Sequence, residues 1–532
     1  MTVMQNQVVE LSFQAEKVYE RPFDQVEFQV RWTGPEGEIL TVPGFWAGNG
    51  VWKVRYSSPQ VGEHHFETLC SQEDAGLRGQ TGSVQVTAYQ GENPLYRRGS
   101  ICRRDGEMFL RHRDGTPFFW LADTWWMGLT TRLAYPEDFE TLAEDRRRKG
   151  FTVVQIVAGL YPDMLPFDER GKNEGGFPWD EQFTQINPLY FDMADRKIIS
   201  LIEHGITPCI VGSWGFFMKF AGKEVLKRHW QYLIARWAAY PVVWCVAGEA
   251  NMAFYDENCP MEEHLRQSRR DWNEMTAFIK EQDVFRRLVT IHPTSYGHEQ
   301  IEDESLLDLD MLQTGHSGPF SLAPTMQMVR KAVSQKRLPV IDSEVCYEGI
   351  CGSSYADVQR YAFLSCVFLG ACGHTYGANG IWQLNDKNCP YGVSPHGAQW
   401  GSTPWQEAYQ LPGSRQIGYC KEYLMKFEWW RFEQHPEWVE RPCTLEAPDG
   451  HFAMGIPGEV CLIFKPNFGG DFWGEVRILQ LEPGAAYRAE RMDPITGRVT
   501  DLGIVHAEAD GSFRMPRIDA FQDWVYALIR VK

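Results

Sequence analysis

The sequence lacks the features that mark secreted, membrane-bound and metal-dependent proteins. Its N-terminus has no basic segment followed by an apolar one, and no run of about eighteen apolar residues occurs anywhere. The 13 cysteines are an odd number, lie mostly within apolar runs, and include no CxxC pair or Cys/His spacing typical of zinc sites. We therefore expect a cytoplasmic protein with reduced thiols, no membrane partner, and neither a metal nor an organic cofactor.

Positive charge is also scarce. The 52 Lys and Arg residues against 70 Asp and Glu residues give a net charge of −18, which argues against nucleic acid or an anionic membrane as a partner. No GxGxxG, GxxxxGKS/T, HExxH or GxSxG motif is present, which disfavours dinucleotide enzymes, P-loop NTPases, zinc proteases and serine esterases. Aromatic residues are abundant, with 20 Trp, and indole rings stack well on sugars, although large cores also use Trp.

The chain is too long for one hydrophobic core, since it has 532 residues, so several domains are expected. Residues 1–92 contain short alternating runs such as VEFQVRWTG and GVWKVRYSSP, separated by Gly and Pro turns, which is typical of a small β-sandwich. Residues 433–532 show the same pattern in runs such as EVCLIFKPN and WVYALIRVK. We predict a β-sandwich at each end of the chain and a different domain over residues 93–432.

Residues 93–432 alternate apolar, strand-like runs with amphipathic helical stretches. Eight such runs occur, at 117–126, 151–159, 206–215, 242–252, 286–294, 310–317, 338–349 and 372–383. Each is almost continuously apolar, as a parallel strand covered by helices must be, and helical stretches separate most of them, the weakest lying between 298 and 309. The pattern predicts an α/β fold, a (β/α)8 TIM barrel. The alternative, an open doubly wound sheet, usually carries a Gly-rich phosphate turn, which is missing here.

Two glutamates follow apolar runs of this predicted barrel, at the strand ends where active-site residues gather. Glu249 follows VVWCVAG and Glu344 follows LPVIDS, on predicted strands 4 and 7. A carboxylate buried there has a raised pKa, which suits a general acid, and two carboxylates across a sugar are the minimum machinery for cleaving a glycoside. A structural ion pair is the alternative for either residue alone. The coincidence of both positions favours catalysis.

Further polar and aromatic residues near the strand ends are candidate sugar-binding residues. They are Asp123, Trp125, Trp126, Trp214, Asn251, His292, His316, Tyr347, Tyr376 and Trp382. Asp123 either hydrogen-bonds sugar hydroxyls or ties the first strand to its neighbour. Trp125 and Trp126 are adjacent, so in an extended segment only one of them can face a pocket. The histidines are expected to orient a carboxylate or bind hydroxyls rather than ligate a metal.

Several motifs together resemble one glycosidase family. DTWW on strand 1, QTGH on strand 6, EVCYEG on strand 7 and TYGANGIWQ on strand 8 resemble the apiosidase-like glycoside hydrolases of family 140 and its DUF4038 relatives. The first domain, with GFWAGNGVWKVRYSSPQVG, is similar to the DUF5060 β-sandwich, and the last to the small C-terminal β-domain of such proteins. The resemblance implies a retaining barrel enzyme that acts on a terminal furanoside such as apiose, with Glu344 as nucleophile. The acid/base role of Glu249 is predicted from its position and expected burial alone.

Strand 4 departs from the pattern of this family. Its members typically have an Asp after paired glycines, whereas this chain has AGEAN with Glu249. The change keeps arabinofuranosides, galactofuranosides, fructosides or a pyranoside open beside apiose, with exo action on short glycosides or oligosaccharides expected. A transglycosylase or synthase using the same two carboxylates, and a non-catalytic carbohydrate-binding scaffold, are the alternatives. The expected partner is a small carbohydrate, and homo-oligomers are possible.

Overall fold

The computed structural model contains a barrel of eight parallel strands, with antiparallel sheets before and after it along the chain. It describes residues 1–254, 259–395, 397–444, 446–447, 450–467, 475–517 and 520–531. The barrel strands, labelled β1 to β8, are Trp120–Trp125, Val153–Val157, Thr207–Val211, Val243–Cys245, Val289–Thr290, Asp310–Gln313, Val340–Glu344 and Gly373–Tyr376. They pair in the order β5-β4-β3-β2-β1-β8-β7-β6, and an isolated bridge from Tyr296 to Leu312 spans the gap between β5 and β6. The barrel is nearly closed, and the predicted fold class is confirmed.

Helices follow most of the barrel strands and cover the barrel from outside. The α-helices in this part of the chain are Glu137–Arg148, Pro188–Glu203, Phe217–Phe220, Lys223–Trp237, Met261–Gln282, Leu322–Gln335, Ala356–Phe368, Trp405–Ala408 and Pro412–Leu424. The connection from β5 to β6 instead contains the 3-10 turns Gly297–Gln300 and Glu304–Leu306, where the sequence pattern is weakest. None of the described helices is long and apolar enough to cross a membrane.

Local sequence signals set the ends of these helices. Asn187 caps the helix Pro188–Glu203 by accepting a hydrogen bond from the backbone N–H of Leu189, and proline occupies the first turn. Gly205, with a φ of 73°, follows the end of that helix in the left-handed conformation that glycine adopts readily. The helix Glu137–Arg148 has three acidic residues in its first turn and three arginines in its last, which complement the helix dipole.

The N-terminal residues form two sheets that share a core. The larger has the strand order Thr2–Met4, Thr81–Thr87, Gly62–Cys70, Phe28–Thr33 and Ile39–Pro43, and the smaller has the order Val9–Gln14, Val51–Tyr56 and Phe45–Trp46. Trp32 and Val30 from the larger sheet pack with Val54 from the smaller one. Arg55 on the smaller sheet pairs with Asp195 of a barrel helix at 2.5 Å, and this buried contact joins the sandwich to the barrel.

The C-terminal residues form a six-stranded sheet and a two-stranded one. The strand order of the first is Glu433–Gln434, Phe452–Ile456, Val460–Lys465, Trp524–Arg530, Ala486–Met492 and Val499–His506, and the second pairs Arg477–Ile478 with Phe513–Arg514. On one face of the large sheet, Phe452 and Phe464 pack against Tyr361 of the barrel helix Ala356–Phe368. The other face covers a separate core that includes Ile463 and Leu528. A small sheet of Ile101–Cys102, Leu110–His112 and Pro117–Phe118 precedes β1.

Candidate active site

A cavity of about 190 Å³ opens at the carboxyl ends of the barrel strands. Both predicted carboxylates, Glu249 and Glu344, lie in its wall. Five of the predicted binding residues line it with them: Trp126, Trp214, His316, Tyr347 and Trp382. All of them end or follow a barrel strand, which is where barrel enzymes carry their reacting groups.

A β-bulge in β7 directs Glu344 into the cavity. Leu312 of β6 pairs with Asp342, but the next residue, Gln313, pairs with Glu344, so Ser343 is an extra residue in β7. In a regular strand Asp342 and Glu344 would face the same side, because side chains alternate with a period of two. The bulge separates them, so that Asp342 faces the surrounding helices and Glu344 faces the cavity.

Two histidines hold the Glu344 carboxylate. His316 Nε2 donates to Oε1 at 2.8 Å, and His292 Nε2 lies 2.8 Å from Oε2. Burial alone would raise the pKa of Glu344, but the two histidine contacts outweigh it and hold that pKa well below its usual range. For His316, burial lowers and the Glu344 charge raises the pKa, and the raising effect prevails. Glu344 is therefore ionised at neutral pH, as a nucleophile must be.

Glu249 lies on a tight turn just past β4. Its φ of 40° is in the left-handed region, which residues other than glycine adopt at a cost. Trp214 Nε1 donates to Glu249 Oε2 at 3.2 Å, and Gly248 leaves no room for a side chain, since a Cβ there would lie 2.3 Å from the Trp214 ring. Burial and the neighbouring Glu344 charge raise the pKa of Glu249. The opposite pKa shifts prepare one carboxyl group to be ionised and the other to hold a proton.

Gln313 lies between the two carboxylates. Its Nε2 donates to Glu249 Oε1 at 3.0 Å and to Glu344 Oε1 at 3.4 Å. Because one atom contacts both oxygens, they can be no farther apart than the sum of those distances, about 6.4 Å. Retaining glycosidases place their carboxyl groups about 5–5.5 Å apart and inverting ones about 6.5–9.5 Å apart. The bound on these two oxygens is compatible with the separation found in retaining enzymes.

Aromatic rings form the sides of the cavity. Trp126 meets Trp214 edge to face with centroids 5.3 Å apart, and Trp126 Nε1 donates to Tyr347 Oη at 3.1 Å. His316 stacks on Tyr347 with centroids 4.9 Å apart. Burial and the Glu344 charge raise the pKa of Tyr347 well above its usual range, so the phenol stays protonated. The wall offers flat apolar faces of the kind on which sugar rings stack.

Five of the predicted binding residues lie behind the cavity wall instead of on it. They are Asp123, Trp125, Asn251, His292 and Tyr376. Asp123 accepts hydrogen bonds from Arg146 Nε at 2.5 Å and from the Trp125 indole at 2.8 Å, and all three residues are fully buried. These contacts favour a structural role for Asp123 over the binding of sugar hydroxyls. Trp125 packs in the core, and of the adjacent tryptophans it is Trp126 that lines the cavity.

The remaining three of these five also have protein partners. Asn251 accepts from Ser268 Oγ at 2.7 Å, and Tyr376 donates to Glu348 Oε2 at 2.6 Å. Of the five, His292 alone contacts one of the two cavity carboxylates, that of Glu344. The sequence predicts that these five residues bind the sugar directly. Their contacts with other protein groups favour a supporting position behind the cavity wall instead. Parallel barrel strands are buried on both faces, so their sequence does not show which way a side chain points.

The cavity is also lined by residues that do not lie at strand ends and were therefore not predicted from the sequence. They are Pro162, Asp163, Met252, Ile350 and Trp400. Trp400 Nε1 donates to Asp163 Oδ2 at 3.2 Å, which joins the loop after β8 to the loop after β2. Neither loop has strand or helix periodicity, so no sequence signal marks these positions. For Gln313 a signal was present, because it opens the QTGH motif at the end of β6.

Two family models match the chain, and so do several solved structures. Residues 104–431, more than half of the chain, match an apiosidase-like catalytic domain, and residues 2–71 match the domain of unknown function DUF5060. A putative glycoside hydrolase from Bacteroides vulgatus ATCC 8482 is 19% identical, with a TM-score of 0.70 over 100% of both chains. A glycoside hydrolase family 5 protein from the same organism is 21% identical, with a TM-score of 0.68 over 83% of this chain and 96% of its own. At such identities these structures show the fold alone. No curated protein matches the sequence.

Proposed function

Because this chain belongs to the family with an apiosidase-like catalytic domain and is a glycosidase, we propose that it hydrolyses a terminal, uncharged furanoside with retention of anomeric configuration. Glu344 is the nucleophile and Glu249 the acid/base. The observation that carries this proposal is the shared contact of Gln313, which limits one oxygen of each carboxylate to a separation of about 6.4 Å. Apiose and arabinofuranose on short glycosides or oligosaccharides are the first candidates.

The reaction proceeds by double displacement. In the first step Glu344 forms a bond to the anomeric carbon as the bond to the leaving oxygen breaks, and the proton of Glu249 passes to that oxygen. In the second step Glu249, now ionised, takes a proton from water, and the water oxygen displaces Glu344 from the anomeric carbon. The low pKa of Glu344 and the raised pKa of Glu249 match the first step.

The size and charge of the cavity support a single uncharged sugar ring at the cleavage site. Its volume of about 190 Å³ is below the ~300–1,000 Å³ of pockets for larger ligands, which favours removal of one terminal unit. Three carboxylates line it, those of Asp163, Glu249 and Glu344, and none of the described lining residues is Arg or Lys. A uronic acid or a sulfated sugar would meet the like charges of Asp163 and Glu344 there. We assign to Asp163 the role of accepting hydrogen bonds from sugar hydroxyls.

The test is a panel of aryl furanosides and pyranosides, followed on the accepted substrate by two variants. Glu344→Gln should abolish turnover. Glu249→Gln should lower kcat/KM, which reports the first step, by roughly 10²–10⁴-fold for poor leaving groups and spare it for activated aryl leaving groups, which need no proton. Proton NMR of the first product should show the anomer of the substrate.

Three results would contradict the proposal. They are an inverted first product, near wild-type turnover by Glu344→Gln, and an equal decrease in kcat/KM of Glu249→Gln for good and poor leaving groups. Asn251→Asp is a matched control, because Asn251 is adjacent to the site in sequence but lies behind the wall. Adding excess alcohol acceptor to the wild type separates hydrolysis from transglycosylation, since only the latter gives a new glycoside as the main product.

A further inference from the structure

A second cluster of reactive side chains lies on the outer side of the barrel wall, behind β7 and β8. Asp342 of β7 is the direct strand partner of His374 of β8, and Cys366 projects from the helix Ala356–Phe368 that covers them. All three residues are fully buried. One ligand atom from each, a carboxylate oxygen, a thiol sulfur and an imidazole nitrogen, lies within 4.8 Å of the other two.

The histidine of this cluster has no other assigned partner. Neither Nδ1 nor Nε2 of His374 makes a hydrogen bond within the described part of the chain, although buried polar atoms in proteins are almost always paired. The Phe363 ring meets the imidazole edge to face at 5.5 Å and offers it no acceptor. A neutral imidazole with an unpaired ring nitrogen is the form of histidine that ligates metals.

The two acidic groups of the cluster contact each other. Cys366 Sγ donates to Asp342 Oδ2 at 3.5 Å, and the Thr314 hydroxyl donates to the same oxygen at 3.2 Å. Thr325 Oγ1 in turn donates to Thr314 Oγ1 at 2.8 Å, which orients that hydroxyl toward the carboxylate. A divalent cation that displaces one proton from Asp342 and one from Cys366 would leave the buried cluster with no net charge.

We propose that Asp342, Cys366 and His374 bind one zinc ion. A thiolate, an imidazole and a carboxylate are together the ligands that zinc favours, whereas magnesium and calcium prefer oxygen alone. Zinc bonds of about 2.0 Å to oxygen and 2.3 Å to sulfur at a tetrahedral angle place these two atoms about 3.5 Å apart, which is the spacing observed. A movement of the imidazole by about 1 Å completes the set, and Thr314 or water supplies the fourth ligand.

The site is structural, and it is distinct from the catalytic cavity. Asp342 and Glu344 lie on opposite faces of β7 because of the bulge at Ser343. Zinc at this position ties β7, β8 and one covering helix together, and it fixes from behind the strand that ends in Glu344. The expectation of a metal-free chain, drawn from cysteine spacing, is revised by this proposal. The ligands come from three elements and form no sequence motif.

The first measurement is the metal content of the full chain, expressed in zinc-supplemented medium and purified without chelator and without a histidine tag. We expect about one zinc per chain by inductively coupled plasma mass spectrometry. Replacement of zinc by cobalt should add the near-ultraviolet absorption band of thiolate-to-cobalt charge transfer. The measurement is made on the purified chain and again on chain that has been denatured and refolded in the presence of zinc. Less than 0.1 zinc per chain in both samples would overturn the proposal.

Variants then assign the ligands. Cys366→Ala and Asp342→Asn should each lower bound zinc at least tenfold, and Cys366→Ala should remove the cobalt band. Cys420→Ala is the matched control, since Cys420 is an equally buried helical cysteine outside the cluster, and it should keep both. Stoichiometric zinc retained by Cys366→Ala would also overturn the assignment. Iron or copper in place of zinc would contradict the choice of metal.

Discussion

Replacing Gly248 by alanine tests how Glu249, the proposed acid/base, is positioned. A Cβ at this position would lie 2.3 Å from two carbons of the Trp214 ring, more than 1 Å inside ordinary contact distance. The backbone on both sides is fixed, because Gly248 N–H donates to Ser213 O at 2.9 Å and Gly215 N–H donates to Gly248 O at 2.7 Å. Trp214 also donates to Glu249, so a displaced ring removes a contact of the acid/base.

A displacement of about 1 Å at a catalytic group costs roughly 10²-fold in rate, so we expect Gly248→Ala to lower kcat by about that factor. The loss should be larger for poor leaving groups, which depend on the proton of Glu249. Steady-state kinetics on a series of leaving groups measures this loss of kcat. Gly44→Ala is the control, because its Cβ would also lie 2.3 Å from an aromatic carbon, that of Phe28, but in the N-terminal sandwich. Near wild-type kcat for Gly248→Ala would refute the positioning role of Trp214.

Three further predictions concern the same region. Asp123→Asn removes a buried charge partner of Arg146, so we expect the free energy of unfolding, measured in urea titrations, to fall by about 3 kcal/mol and KM to stay unchanged. A raised KM without destabilisation would instead support a sugar-binding role for Asp123. In the proposed mechanism Glu344 must be ionised, so activity should be lost as the pH falls through its lowered pKa. His316→Asn removes a contact that lowers this pKa, so it should move the acid limb of the pH–rate profile to higher pH and leave the alkaline limb, which we assign to Glu249, in place. Asp163→Asn should reduce the preference for a neutral glycoside over the matching uronide by about tenfold in kcat/KM; an unchanged ratio would show that Asp163 does not select against charge.

The barrel was predictable from the sequence because its strands have a consistent character. A parallel strand covered on both faces is apolar along its whole length, and eight such runs stand out between amphipathic helices. Even the missing α-helix between β5 and β6 corresponds to the weakest helical pattern. The predicted resemblance to apiosidase-like proteins, and to DUF5060 in the first domain, is confirmed by the family models.

The candidate site was predictable only where position along a strand determines location. Glu249 and Glu344 meet at the cavity because both follow barrel strands. Asp123 lies within β1, and the pairing with Arg146, 23 residues later, decides its environment and leaves no mark in the sequence. Asp163 and Trp400 lie in long loops whose course depends on tertiary contacts, so periodicity does not predict them. Their roles in the reaction stay predictions.

The bulge at Ser343 has a consequence for how this barrel tolerates insertions and deletions. The alternation of side chains along β7 determines which face carries each carboxylate. Straightening the bulge at constant strand length would put Asp342 and Glu344 on one face, whereas deleting Ser343 would make them neighbours in a regular strand and keep them on opposite faces. We therefore expect homologous sequences that keep both carboxylates to have either one residue or none between them, with Ser343 itself free to vary in chemistry. In sequence alignments, a gap at this position would be compatible with an intact site, whereas two carboxylates separated by one residue would require the bulge.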